Sequence, residues 1–208
     1  ADIKNEKILK IIEKPKNPPT NFAVTGIYFL TTKIFEIIDK LKPSWRNEYE
    51  ITDALDMLLK EKNEITYNII TDYWKDTGTS EDIINANEAI LEKLKPYCNG
   101  KNLSENNLGN IMIDENTLIE KNVKIIGPVI IGKNCLIDKN SIVGPNVSIG
   151  DNSKVSKCEI NNSIIMKDCE INSKIKIKNS IIASNSKILS KEKDENILLL
   201  GEGTKILL

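Results

Sequence analysis

The sequence predicts an α/β segment followed by a parallel β-helix, and three observations carry that prediction. In the second half an aliphatic residue returns every six positions without a miss, at Ile113, Ile119, Ile125, Ile131, Ile137, Val143, Ile149 and Val155. Four positions after each of the first seven stands a small or β-branched residue: Thr117, Val123, Val129, Cys135, Ser141, Val147 and Ser153. In the first half strand-like and helix-like apolar patterns alternate instead, as in an α/β arrangement.

Taken in order, residues 7–13 read as a strand and residues 21–30 as another, with Gly26 inside it. Residues 32–42 read as a helix, since Ile34, Ile37, Ile38 and Leu41 fall on one 3.6-period face. Ile51, Leu55, Leu58 and Leu59 repeat that spacing over residues 50–60, and residues 63–70 return to strand. Thr79 and Asp82 have capping-box spacing, with Asp in place of the usual Glu or Gln, ahead of Ile83, Asn87, Ile90, Leu91 and Leu94. Pro96 and the polar run at 99–107 close this half, so an α/β domain is expected over 1–98.

Period six suits neither an α-helix nor an antiparallel meander, whose turns are Gly-rich and more widely spaced. One position before the small residues Asn recurs, at 116, 122, 134, 140, 146 and 152, with Pro128 in its place once. Asn accepts left-handed backbone better than other non-Gly residues, so a corner in every repeat is the physical reading. That pattern is a hexapeptide-repeat parallel β-helix, expected over 107–190. Burying one aliphatic side chain contributes roughly 1.5–3 kcal/mol. Ordering one repeat costs roughly 9 kcal/mol, so no repeat stands alone and stacked neighbours are required. The register slips after Val155, where Glu159 falls on an inward site. It resumes at Ile165, Ile171 and Ile177, paired with Cys169, Ile175 and Ile181. Residues 191–208 are expected to cap the β-helix or to meet a partner chain.

The 208 residues carry 29 basic and 30 acidic side chains, a net charge of -1, so no global field draws the chain to nucleic acid or to an anionic membrane. There is no histidine, which excludes an imidazole base or ligand from these residues. Cys98, Cys135, Cys158 and Cys169 form no CxxC pair and point to a reducing, cytoplasmic compartment. No apolar run reaches the roughly 18 residues of a membrane span. No basic-then-apolar leader opens the chain, so a soluble protein is expected.

Read locally, the candidate functional residues keep two meanings each. Glu13 and Lys14 before Pro15 are solvated residues at a strand end or a ligand-binding pair, and Val24 and Gly26 are core and bulge or a site wall. Trp74 is core or site. Asp76, ahead of Thr77 and Gly78, is an Asx-turn residue leading into a helix or a metal ligand.

Four motifs in order narrow the choice: IIEKP at 11–15, FAVTGIYF at 22–29, EYEITDA at 48–54 and YWKDTGT at 73–79. The arrangement resembles the C-terminal half of a Rossmann-like sugar-1-phosphate nucleotidylyltransferase domain. With the slipped β-helix and the ending LLLGEGTKI it looks closest to the long-form glucose-1-phosphate thymidylyltransferases. The resemblance covers nearly the whole chain and implies a left-handed β-helix, since hexapeptide helices of this type turn that way. It implies a transferase that forms dTDP-glucose and pyrophosphate from dTTP and glucose 1-phosphate. On the family pattern Glu13 accepts hydrogen bonds from sugar hydroxyls, Lys14 meets the sugar phosphate and Val24 borders the sugar. Trp74 lines the site, and Asp76 is the Mg²⁺ ligand. Asn47 stands where the family usually has glycine, which Asn can imitate in left-handed backbone.

The family's Gly-rich, Arg-containing phosphate loop has no counterpart here, and neither has its second metal-binding aspartate upstream of the EKP motif. The expectation is therefore a C-terminal portion of a longer enzyme, inactive alone, with a truncated sheet that exposes apolar surface. Homo-oligomers through that sheet or through the β-helix edges are expected. Alternatives are a UTP- or GTP-using relative and a bifunctional nucleotidylyltransferase/acetyltransferase. The second is disfavoured because such acetyl-transfer sites generally depend on histidine.

Overall fold

The computed structural model describes residues 1–190 and 196–199. Packing divides the chain into two compact units, Ala1–Tyr73 and Trp74–Leu208.

In the first unit β1 (Asp2–Lys4) and β2 (Lys7–Lys10) form an antiparallel hairpin with Ile3 opposite Ile8. Two helices follow, α1 (Lys33–Ile38) and α2 (Ile51–Lys60), packed on each other, with α2 also against β2. Ile34 and Ile37 of α1 and Leu55 and Leu58 of α2 are buried as the helical spacing requires, joined by Ile11 and Ala54. Ile38 and Ile51, assigned to the same stripes, face outward instead. The strand predicted over 7–13 pairs only through Lys10, and the runs 21–30 and 63–70 pair with no strand among the described residues. An extended run has no hydrogen bonds of its own and becomes a strand only beside another. These runs accordingly leave Ile27 and Phe29 exposed, Phe29 almost fully at 97%.

The second unit is a helix and a parallel β-solenoid. The helix, α3 (Ser80–Leu91), is capped by Thr79, whose side chain accepts from the Asp82 amide. Its buried residues are Ile84 and Leu91, whereas Ile83 and Ile90 of the expected stripe are exposed. Each solenoid coil then gives one strand to each of three sheets. One sheet runs from Lys101–Asn102 to Asn196–Leu199, a second from Asn106–Leu108 to Lys176–Lys178, and a third from Tyr97–Cys98 to Ile181–Ile182. Every pairing is parallel except the last, where Asn196–Leu199 runs antiparallel to Lys187–Ser190. Apart from that strand, the 191–208 segment expected to cap the solenoid or bind a partner lies outside the described residues. No helix among the described residues is long and apolar enough to cross a membrane.

The six-residue pattern maps onto the interior without exception. All eight aliphatic positions from Ile113 to Val155 are buried, and so are all seven small positions from Thr117 to Ser153. Asn116, Asn134, Asn140, Asn146 and Asn152 turn the corners in left-handed backbone with φ between 55 and 59°, while Asn122 does not. The slip after Val155 is a shortened step. Cys158 and Ile160 go inward and Glu159, between them, points out to an ion pair with Lys176 at 3.0 Å. Ile165, Ile171, Ile177 and Cys169 are inward as expected, and Ile175 is partly buried against the same core. Ile181 is a correction: it lies beside Ile164 in the ladder, and Ile182 takes the inward place next to Ile165. Side chains alternate along a strand, so one further shortened step moves the inward position by one residue.

One interior corner carries a column of hydroxyls and thiols, Thr117, Cys135, Ser153, Cys169 and Ser186, all buried. The Cys135 amide donates to Thr117 Oγ1 at 2.9 Å, and Cys135 Sγ–H donates to the Gly150 carbonyl at 3.2 Å. Two rungs on, the Cys169 amide donates to Ser153 Oγ at 3.2 Å and Cys169 Sγ–H to the Ala183 carbonyl at 3.1 Å. These side chains occupy backbone groups that the corner would otherwise leave without partners. Burial pushes the Cys158 thiol up to about 12 and raises those of Cys135 and Cys169, whereas Cys98 is exposed. Thiolate is the reactive form. Labelling with a thiol reagent near neutral pH should therefore give one fast cysteine, Cys98, and release the other three only on unfolding. A second fast thiol in the native chain would contradict the packing.

Candidate functional site

The site in the first unit is built from α2. Thr52 and Asp56 stand one turn apart on its buried face, which matches the spacing of alternate residues along an extended chain. Asp56 Oδ1 accepts the Ile11 amide at 3.2 Å, and Thr52 Oγ1–H donates to Glu13 Oε2 at 2.8 Å. The run leading to Glu13 is thereby fixed in position and in rotation.

Arg46 holds the other side of the Glu13 carboxylate. Its guanidinium lies 3.5 Å from Glu13 Oε1, 2.9 Å from Glu48 and 3.3 Å from the buried Glu50. Ser44 Oγ–H donates to Glu50 at 3.0 Å and accepts the Arg46 amide at 3.1 Å, completing the tie. Between them Asn47 has φ 61°, the left-handed backbone in which Asn can replace glycine. The Tyr28 phenol is pushed above its ordinary pKa by burial first and by the negative charge of Glu13 second.

Glu13, Lys14 and Val24 are brought together. They line a cleft of about 460 Å³ with Ile12, Pro15 and Thr52. Lys14 is exposed and its φ of 33° lies in the left-handed region, which argues against a regular strand end at this pair. Val24 is exposed at the cleft wall and is not core. A carboxylate with oriented lone pairs beside an exposed ammonium is a pair suited to a polyhydroxyl anion.

Trp74 and Asp76 belong to the second unit, on the exposed segment 74–79 that precedes α3. Trp74 is half-exposed and so is not core. The segment is tied to the helix by Lys75 Nζ, 2.6 Å from Asp82 Oδ1, and by the Thr79 cap. The Asp82 carboxyl is held below the usual carboxylate range by the Lys75 hydrogen bond first and the Thr79 hydroxyl second. Asp76 offers a hard oxygen donor of the kind Mg²⁺ takes, but no group of three or more His, Cys, Asp or Glu side chains among the described residues could hold a metal. One carboxylate fits an ion that relies on substrate phosphates for its remaining ligands.

Sequence reasoning missed Thr52, Asp56 and Arg46. The signal for the first two was present, because Thr52 and Asp56 interrupt the apolar face that Leu55 and Leu58 define, and a buried polar group on such a face needs a partner. For Arg46 the local signal was its spacing to Glu48 and Glu50, whereas its contact with Glu13 exists only in the fold.

Two family models and several curated proteins are similar to parts of the chain. Residues 1–93 match the family model described as Nucleotidyl transferase, and residues 125–207 match the GMPPB C-terminal domain. The low-salt glycan biosynthesis nucleotidyltransferase Agl11 of Haloferax volcanii is 44% identical over 93 residues, covering 44% of this chain and 26% of its own. A glucose-1-phosphate thymidylyltransferase of Streptomyces griseus is 33% identical over 123 residues, covering 59% and 34%. The bifunctional protein GlmU of Methanococcus aeolicus is 40% identical over 119 residues, covering 57% and 27%. The aligned regions thus span only about a quarter to a third of these relatives. Residues 1–93 are similar to nucleotidyl transferase sequence, and the chain continues into a parallel β-solenoid.

The Asp56 anchor makes a stability prediction. Asp56→Ala leaves the buried Ile11 amide without an acceptor and should cost about 1–3 kcal/mol, read as a lower urea midpoint. Asp56→Asn keeps an acceptor oxygen and should cost less; equal losses would show that the hydrogen bond contributes nothing.

Proposed function

We propose that this chain is the sugar-binding and solenoid portion of a sugar-1-phosphate nucleotidyltransferase that joins dTTP and glucose 1-phosphate into dTDP-glucose and pyrophosphate. The observation that carries the reading is the Glu13 carboxylate, fixed by Thr52 and Arg46 on the wall of the cleft that Lys14 and Val24 share. A sugar phosphate needs oriented acceptors for its hydroxyls and a cation for its phosphate, and this wall offers both.

In this reading Glu13 holds sugar hydroxyls, Val24 borders the ring and Lys14 balances the charge of the sugar phosphate. An oxygen of that phosphate attacks the α-phosphorus of the nucleotide in line, the new P–O bond forms, and the bond to the departing pyrophosphate breaks. Positioning and charge balance are the protein's contribution, with no covalent intermediate required. Asp76 is the carboxylate that would hold Mg²⁺, which supplies neutralisation of the nucleotide phosphates when bound, and Trp74, two residues before it, is the aromatic that lines the substrate. The reading places the enzyme in the cytoplasm, consistent with four free thiols.

The test uses the full-length gene product with glucose 1-phosphate and each of dTTP, UTP and GTP, followed by pyrophosphate release. Transfer with preference for dTTP is expected. Asp76→Ala should lower the rate by about a hundredfold or more, close to 2.7 kcal/mol at about 1.36 per tenfold. Glu13→Gln should raise KM for the sugar phosphate more than it lowers kcat. Preference for another nucleotide would overturn the base assignment, and transfer unaffected by both substitutions would overturn the site.

A further inference from the structure

Helix α3 has two allegiances. The nucleotidyl transferase match extends through it to residue 93, yet by packing it belongs with the solenoid. It lies against the strands Val147–Ile149 and Ser163–Ile165. The residues it turns inward, Ile84, Asn87, Glu88 and Leu91, follow helical spacing with apolar side chains at the ends and polar ones in the middle.

The polar centre is a specific seat. Asn146 Nδ2–H donates to Glu88 Oε1 at 2.7 Å, Ser148 Oγ–H donates to Asn87 Oδ1, and Asn87 Nδ2–H donates to the Asn146 carbonyl at 3.4 Å. Asn146 is itself one of the left-handed solenoid corners, φ 59°, so the seat is part of the rigid coil frame. An apolar contact alone would tolerate sliding or rotation of the helix, whereas paired amide and hydroxyl groups accept one placement. At the other end of α3 the Thr79 cap and the Lys75–Asp82 contact tie the helix to the segment that carries Trp74 and Asp76.

We propose that Asn87, Glu88, Asn146 and Ser148 are positioning residues: they seat α3 on the solenoid and through it set the Asp76 segment, so that the solenoid is the platform of the metal-binding carboxylate. The functional part of this inference rests on the reading of Asp76 given above; the mechanical part does not. The solenoid then has a task in nucleotide transfer without contributing a group to the chemistry.

The discriminating variants are Asn146→Gly, which keeps the left-handed corner and removes the amide, and Asn87→Ala. Glu88→Gln, which retains an acceptor for Asn146, is the conservative control. In the 208-residue chain with Trp45→Phe, Trp74 becomes the only tryptophan, and its emission reports the segment. Both disruptive variants should shift that emission and speed amide exchange in α3 and residues 74–79 by about five- to tenfold, the scale of one lost hydrogen bond. Exchange across the solenoid strands should not change, and Glu88→Gln should resemble the parent. In the full-length gene product the same variants should raise the Mg²⁺ concentration for half-maximal rate several-fold while leaving KM for the sugar phosphate in place. If α3 loosens while Trp74 emission and exchange at 74–79 stay at parental values, the seat is structural only and the proposal is overturned. If the optical coupling is present but the full-length product transfers no nucleotide, the seat stands and the reading of Asp76 falls instead.

Discussion

A backbone amide or carbonyl in an extended chain must find its partner on another segment, and the architecture of this protein follows from how that requirement is met. In the solenoid each coil supplies the ladder for the next, so strands of two to four residues are stable although none could stand alone. The six-residue step keeps Ile119, Ile137 and Val155 in one ladder column, each over the last, and the same registry aligns the backbone groups that pair. In the first unit the runs 21–30 and 63–70 have the composition of strands but no strand beside them among the described residues, and Ile27, Phe29, Ile69 and Ile70 stand in solvent while Tyr28 and Ile65 pack on the core. The two halves differ less in propensity than in whether a partner strand is at hand.

The site shows how a weak local signal becomes specific through tertiary placement. A carboxylate at the end of an extended run is free to rotate and to lose its orientation to water. Here one oxygen takes the Thr52 hydroxyl and the other faces Arg46, which is itself shared with Glu48 and Glu50. The arginine is only about a quarter exposed, so its attraction for Glu13 and Glu50 is less screened than that of a surface pair. The Tyr28 phenol, raised first by burial, is raised further by the Glu13 charge.

What could be read in the sequence and what could not divide along the same line. The interior of the solenoid was legible because the signal is redundant: a periodic position supported by seven others survives an error at any one of them. The step from Ile177 to Ile182 was not legible, because a single missing residue leaves two adjacent isoleucines, Ile181 and Ile182, with nothing local to choose between them. The pattern behind the Thr79 cap puts Ile83, Asn87, Ile90, Leu91 and Leu94 on one side of α3, and of these Asn87 and Leu91 do turn inward while Ile83 and Ile90 are exposed. Ile84 and Glu88 take the inward places in their stead, Glu88 because the surface beneath it offers Asn146. Hydrophobic pattern locates a face only where the opposing surface is apolar too. Glu13, Lys14 and Val24 were found through motif resemblance, while Thr52 and Arg46, which hold Glu13, depend on segments more than thirty residues away in sequence.

The polar seat of α3 also bears on how a repeat fold fixes the position of a helix laid on it. A solenoid face repeats, so a helix laid on it by apolar contact alone would meet nearly equivalent positions one coil above and one below. Ser148 breaks that equivalence, since the residues beside it in the ladder are Ile130 and Ile164. Asn146 breaks it on one side, where the neighbouring corner is Pro128, which lacks an amide to donate; on the other side the corner is Asn162. The seat thus falls at the one coil among its neighbours where both partners are polar. Departures from the repeat that look like noise in the hexad pattern are then the positions that select the register of the attached helix.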